Sequence, residues 1–293
     1  MSLLTTLKFL TNHPLSTDRK LQTICRFIGW QISSRLMPYP VIYPFTVKSK
    51  LIVQKGMSGA TGNLYCGLHE FNDMSFLLHL LRPADLFIDA GANIGGYTVL
   101  ASAHVEADTI AIEPAPSTYA KLLANIRIND MADRVHALNI ALGSATGVVN
   151  FTTSLDTTNH VVIGDEAVDT VKIKIDTLDN VLQNRSPILL KIDVEGFETQ
   201  VLTGAKRMLQ NESLKAIIIE LNGLSERYGV ENEKTHEVLL GYGFLPYTYE
   251  PFKKELLRCE TFGDFNTIYI RDVDFVKDRL QTADKVYVRN QAI

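Results

Sequence analysis

From about residue 68 onward, short apolar runs alternate with longer stretches of helical spacing. "LFIDA" (86–90), "TIAIE" (109–113), "ILLKID" (188–193) and "AIIIEL" (216–221) have the length and continuity of buried strands. "VHALNIAL", "VVNFTTS", "VKIKIDTL" and the late "NTIYI" add further β segments. Between them, "FNDMSFLLHLLR" places Phe71, Met74, Phe76, Leu77, Leu80 and Leu81 on helical spacing, and Pro83 stops it. Further helices are expected over Gly96–Ala103, over "STYAKLLANIRIN" with Ser117 as N-cap, over "ETQVLTGAKRML" and over "THEVLLGYG". Unbroken apolar strands separated by amphipathic helices predict a doubly wound, mostly parallel sheet covered on both faces. Residues 1–60 lack this alternation.

In such sheets ligands bind beyond the carboxyl ends of the strands, so the strand ends hold the candidate chemistry. The first reads Asp89-Ala-Gly91-Ala-Asn93-Ile-Gly95-Gly96. It keeps the bend of a dinucleotide loop, but Asn93 stands where a glycine would let the backbone approach a pyrophosphate. A nucleoside without pyrophosphate suits the loop better, and S-adenosylmethionine is the obvious one. A tight turn without a ligand is the bland alternative. Glu113 closes the next strand, 24 residues after Asp89, where a carboxylate can accept from two ribose hydroxyls. Asp193, followed by Glu195 and Gly196, closes a third strand, and Glu220 with Asn222 closes a fourth. Acids on one dry rim repel unless a cation, a proton or a positively charged ligand meets them. Contact with cofactor or substrate ranks first for them, helix capping second, and a divalent metal on Asp193, Glu220 and Asn222 third. The loop 152–168 adds Asp156, Asn159 and His160, with His160 a candidate base. Glu70 either caps its helix or reaches a cofactor amino group.

Charge and composition narrow the partners. A net charge of −4 argues against a polyanion, so no nucleic-acid partner is expected. Three scattered cysteines without metal-ligand spacing indicate reduced thiols. No apolar run reaches the roughly 18 residues of a transmembrane helix, and "MSLLTTLKFL" is too short and polar for a signal peptide, so a cytoplasmic location is expected. "ICRFIGWQISSRLMPYPVIYPF" is aromatic-rich, interrupted by arginines and broken by prolines. It reads as a helix packed on the main domain, ahead of a dimer contact or a membrane-surface contact.

"FIDAGANIGGYT", "AIEPAPSTYAKLLANI", "LLKIDVEGFE", "AIIIEL" and "NTIYI", in this order, resemble the FkbM family of S-adenosylmethionine-dependent methyltransferases over residues 68–270. The resemblance implies a class I methyltransferase fold, Rossmann-like, of about seven strands with the last antiparallel. It implies methyl transfer to oxygen, on a hydroxyl of a sugar, glycan or natural product. Asp89, Gly91, Asn93, Gly95 and Thr98 would form the cofactor loop, Glu113 would hold the ribose, and Asp193 would sit beside the methionine end or the transferring methyl. Residues 1–60 would be an extension, 61–271 the catalytic domain and 272–293 a tail, with a possible homo-oligomer through the extension. An alcohol is a weak nucleophile, so Asp193, Glu195, Glu220 and His160 stand as candidate bases. A nicotinamide-dependent oxidoreductase and a non-catalytic cofactor-binding scaffold are the competing readings.

Overall fold

The structure, a computed structural model, describes residues 3–155, 158–164, 168–263 and 265–293. An eight-stranded sheet runs through it. Its strands are β1 (Leu86–Ala90), β2 (Asp108–Ile112), β3 (Val135–Leu138), β4 (Leu189–Ile192), β5 (Ala216–Glu220), β6 (Leu245–Glu250), β7 (Glu255–Arg258) and β8 (Asn266–Ile270). Their order is β7-β6-β8-β5-β4-β1-β2-β3, and β1 to β5 are mutually parallel. β8 lies antiparallel to both β5 and β6, and the hairpin strand β7 extends the edge. The order reverses between β1 and β4, the switch point at which a doubly wound sheet opens a crevice. This is the class I methyltransferase fold, with one strand more than expected.

The strands are continuous in apolarity because both faces are covered. Phe87, Leu189, Ala216 and Ile218 pack on one side with Phe76, Leu77 and Val99. Their neighbours Ile88, Leu190, Ile217 and Ile219 pack on the other with Leu182, Val201, Leu202 and Met208. The period-two alternation sends successive side chains to opposite layers, so a largely apolar run suits both.

Four expectations change in detail, and one is the helix expected over "ETQVLTGAKRML", which is two, Glu198–Thr203 and Lys206–Gln210. "VHALNIAL" is not one strand: β3 ends at Leu138, and Ala141–Leu142 joins a separate sheet with Gly147–Thr152 and Thr170–Asp176. The break is pinned by Asn139, whose Nδ2 donates to the carbonyls of Glu113 and Pro114 at 2.8 and 2.9 Å. Ser117 is not the cap of its helix, which starts at Pro116 with Ala115 in the cap position. Proline at the first helical position needs no N–H partner and presets φ. The helix after the glycine loop is α over Gly96–Val99 and widens to a π turn over Leu100–Val105.

The N-terminal segment forms helices Leu3–Asn12 and Lys20–Leu36, a hairpin of Val41–Pro44 with Lys50–Val53, and helix Ser58–Cys66. Phe27 and Trp30 on helix Lys20–Leu36 are buried, so the packing reading of this stretch holds for one face. The hairpin is tied to the glycine-loop layer through Asn125, which accepts from Ile52 N and donates to Ile94 O, both at 2.8 Å. The chain ends in helix Val273–Gln281 and a small hairpin, Tyr287–Val288 with Gln291–Ala292. Side chains from Leu10 to Ile293 share one apolar cluster. Among the described residues, no helix is long and apolar enough to cross a membrane.

Candidate active site

The ends of β1, β2, β4 and β5 converge on one cleft of about 560 Å³, within the range of about 300–1,000 Å³ typical of small-ligand sites. Gly91 and Asn93 follow β1 and face it, Glu113 follows β2, Asp193 and Glu195 follow β4, and Glu220 ends β5. Helices Leu3–Asn12 and Ser58–Cys66 close one wall through Thr6, Phe9, Leu10, Gly59 and Tyr65. The small sheet and its loop close another through Leu142, Phe151, Asn159 and Val161. The N-terminal segment and the small sheet with its loop therefore build the walls.

The glycine loop is shaped by the approach of β1 to β4. Gly91 has φ +82°, and a Cβ there would lie 1.8 Å from the carbonyl oxygen of Asp193. No side chain fits, and a positive φ disfavours one in any case. The amides of Gly91 and Ala92 both donate to Ile112 O, at 3.0 and 2.9 Å, which locks the loop onto the end of β2. Asn93 takes a left-handed φ of +51°, and its N–H donates to Glu113 Oε2 at 2.9 Å. Ala115 N donates to Glu113 Oε1 at 2.9 Å. Burial pushes the Glu113 carboxyl up to about 7, against these two donors. Each oxygen has accepted one bond and retains acceptor capacity toward the cleft.

Not every residue assigned to the loop reaches the ligand space. Asp89 is buried behind it, and its Oδ2 accepts from Thr98 Oγ1 at 2.6 Å. Gly95, at φ +93°, gives room to Leu122. Asp89, Gly95 and Thr98 are absent from the described residues lining the cleft. Their part is to hold the loop, because a carboxylate that ends inside the sheet finds its donor on the next helix rather than in the open.

The acid rim is real. Carboxylate oxygens of Asp193, Glu195 and Glu220 lie within 4.8 Å of one another. Burial, then the charges of Asp193 and Glu198, push Glu195 up to about 7. Burial, then the charges of Asp193 and Glu195, push Glu220 up to about 8. Asn222 does not join them: it is exposed, and its side-chain oxygen accepts from Leu224 N at 3.1 Å. The hard-oxygen set that can hold a divalent cation is thus Asp193, Glu195 and Glu220, with Glu195 in place of Asn222. Glu195 is carried there by its own left-handed φ of +57°.

His160 is also displaced from its expected place. It is buried, its Nδ1 pairs with Thr158 O at 2.9 Å, and it is not among the described residues lining the cleft. Asp156 lies outside the described residues. Glu70 makes no capping bond to its helix; its Oε2 accepts from Tyr97 OH at 2.5 Å and it faces the cleft.

Reading the sequence missed two groups. Lys191 is buried, with Nζ 2.8 Å from Asp193 Oδ2 and 4.8 Å from the centre of the Tyr97 ring. Burial alone would lower its pKa, but Asp193, Glu70 and Asp89 around it raise it above the ordinary lysine value. A cation in the middle of "ILLKID", opposite Asp89 in register, was the available signal. His69 lines the cleft with its ring 5.2 Å from that of Phe9, and burial lowers its pKa, so its imidazole is held toward the neutral form.

A family model described as the methyltransferase FkbM domain matches residues 89–246. A hexuronic acid methyltransferase, AglP, from Haloferax volcanii is 32% identical over 156 residues, covering 52% of this chain and 62% of that protein. The methyltransferase sdnD from Sordaria araneosa is 28% identical over 169 residues, covering 46% of this chain and 65% of that protein. The chain thus spans less than two thirds of the length of these relatives. The crystal structure of a methyltransferase FkbM from Methylobacillus flagellatus KT aligns at 16% identity with a TM-score of 0.46, over 85% of this chain and 60% of that one.

Proposed function

This chain belongs to the FkbM methyltransferase family, and from that premise we propose that it transfers a methyl group from S-adenosylmethionine to a hydroxyl of a neutral, sugar-like acceptor. One observation carries the reading: the glycine loop, the β2 glutamate and the acid rim open into a single cleft.

The residues present fit the cofactor. Gly91 and Asn93 offer backbone at the bend, and Glu113 offers two acceptor oxygens at the distance along the chain expected of a ribose ligand. Glu70, Asp193, Glu195 and Glu220 give the cleft a negative potential that favours a sulfonium and an ammonium. Bound S-adenosylmethionine supplies a methyl group already activated on sulfur. The protein must then align the acceptor oxygen with that carbon, exclude water and take up one proton. Phe9, Leu10, Tyr65 and Phe151 exclude water from the walls. Lys191 holds Asp193 in place through its 2.8 Å contact. Glu220, whose carboxyl is raised to about 8 by burial and then by Asp193, takes the hydroxyl proton from its ionised form. No lysine or arginine is among the described residues lining the cleft, which favours a neutral acceptor over an anionic one.

The closeness of the three carboxylates supports a second reading, in which Asp193, Glu195 and Glu220 would hold a divalent cation that would lower the pKa of the acceptor hydroxyl. Methyl transfer to a panel of glycosides in the presence and absence of EDTA separates the two. Activity that survives complete chelation removes the metal reading. Under either reading Asp193→Asn lowers turnover by about 10²–10⁴ with the fold intact. A fully active Asp193→Asn enzyme sinks the assignment of the rim to chemistry. S-adenosylhomocysteine is expected to raise the melting temperature, and failure to do so removes the cofactor assignment.

A further inference from the structure

Helix Lys20–Leu36 has two apolar faces. Thr23, Phe27, Trp30 and Ser34 are buried against the domain at steps of four, three and four residues. Leu21, Ile28, Ile32 and Leu36 stand 79%, 49%, 56% and 76% exposed. At 3.6 residues per turn these four fall within roughly 80° of arc, on the side opposite the buried stripe. Packing explains one apolar stripe on a surface helix, not two. The outer one runs on into exposed Met37, Tyr39 and Ile42 before and within the hairpin.

Charge singles out the same segment. Between Arg19 and His69 there are seven lysines and arginines and no aspartate or glutamate. Residues 70–293 carry 21 basic side chains against 32 acidic ones. Lys20, Arg35, Lys48 and Lys50 of the helix and hairpin are exposed. Lys48 lies 3.8 Å from Glu106, while Lys20 and Arg35 flank the stripe on a helix without acids; an aliphatic stripe flanked by cations is what an interfacial helix presents to anionic headgroups.

We propose that the outer face of helix Lys20–Leu36 and the following hairpin bind an anionic membrane surface, with Leu21, Ile28, Ile32 and Leu36 entering the headgroup layer and the lysines and arginines meeting lipid phosphates. The helix lies on the membrane and does not span it, in keeping with the lack of a long enough apolar helix among the described residues. Pairing of this face with itself in a second copy would set cations against cations. Nucleic acid would use the cations but leave the aliphatic stripe in water. The Leu3–Asn12 helix, which precedes helix Lys20–Leu36 in the N-terminal segment, supplies Thr6, Phe9 and Leu10 to the cleft wall.

Co-sedimentation of the whole chain with vesicles tests this without cofactor or acceptor, so its outcome is independent of the catalytic reading. Phosphatidylcholine vesicles carrying about 30% phosphatidylserine should bind the protein, more weakly as salt rises, and pure phosphatidylcholine should bind it at least tenfold less. Ile28→Glu/Ile32→Glu and, separately, Lys20→Glu/Arg35→Glu should each weaken binding by at least tenfold. If the first pair lowers the melting temperature, Leu21→Glu/Leu36→Glu, at the most exposed positions, replaces it. Absence of binding by the unaltered chain overturns the proposal, as does binding unaffected by both pairs. A dimer dissolved by the Ile28→Glu/Ile32→Glu change, with no vesicle binding, also overturns it and gives the face to a second copy.

Discussion

Gly91 shows how much one position decides. Its lack of a side chain lets β1 and β4 come together, since a Cβ would stand 1.8 Å from Asp193 O. Two elements at the cleft, the glycine loop and the acid rim, therefore share one contact. Gly91→Ala should open that contact and strain the backbone at φ +82°, costing at least about 2 kcal/mol. Chemical denaturation reads the loss, and calorimetry with S-adenosylhomocysteine should show affinity falling with it. Retained stability and affinity would mean that the two strand ends separate without consequence. Bend and contact call for glycine independently, but only the bend is visible in the string Asp-Ala-Gly-Ala-Asn. The contact joins residues about a hundred positions apart in sequence.

At the scale of elements, the cleft depends on pieces from both ends of the chain. Helix Ser58–Cys66 forms part of its wall, and the C-terminal hairpin grips that helix through Arg289. The Arg289 guanidinium donates to Leu64 O and, at 3.4 Å, to Asn63 O, and lies 5.3 Å from the centre of the Tyr43 ring. Arg19 in turn donates to Arg289 O at 3.1 Å. Burial lowers the Arg289 pKa to about 10, which leaves it charged at neutral pH. Arg289→Ala should remove charge-assisted bonds worth about 2 kcal/mol and loosen the wall. The expected signature is a lower melting temperature together with weaker acceptor binding, while cofactor affinity changes little because Gly91 and Glu113 are anchored at the ends of β1 and β2 rather than on this wall. Equal loss of cofactor affinity would show that the wall and the sheet end act as one piece.

Across the whole molecule, buried ionisable groups set the response to pH. Burial holds Glu113 and Glu198 at about 7, against an ordinary value of 4.5. Between about 4.5 and 7 the folded state keeps protons that the unfolded chain has released, so these groups favour folding at low pH and lose that contribution as pH rises. His13, His79 and His104, lowered by burial to about 4 from 6.5, act in the opposite sense as pH falls below about 6.5. The net curve is flattened, and the acids are seen best by difference. Glu198 Oε1 accepts from Val194 N and Gly196 N at 3.2 and 3.0 Å, and glutamine keeps that oxygen without the charge. The stability of the unaltered protein relative to Glu198→Gln should therefore rise as pH is lowered from about 8 to about 5. A difference independent of pH would mean that Glu198 stays ionised throughout.

The sequence by itself determined the doubly wound sheet, the bend after β1 and the ranks of acids at strand ends, because buried strands and their turns follow from local apolarity and glycine placement. It named Gly91, Asn93, Glu113, Asp193, Glu195 and Glu220, all of which face one cleft. Only the tertiary structure decided which neighbours each would meet. It turned Asp89 inward to Thr98, gave Asn222 to its own turn, and set His160 away from the cleft wall. It also brought Lys191 against Asp193 and drew Phe9 and Tyr65 into the wall. A side chain's type and its place along a strand are local facts. Its partner depends on strand order, on the packing of residues from both ends of the chain, and on where a buried charge finds its donor.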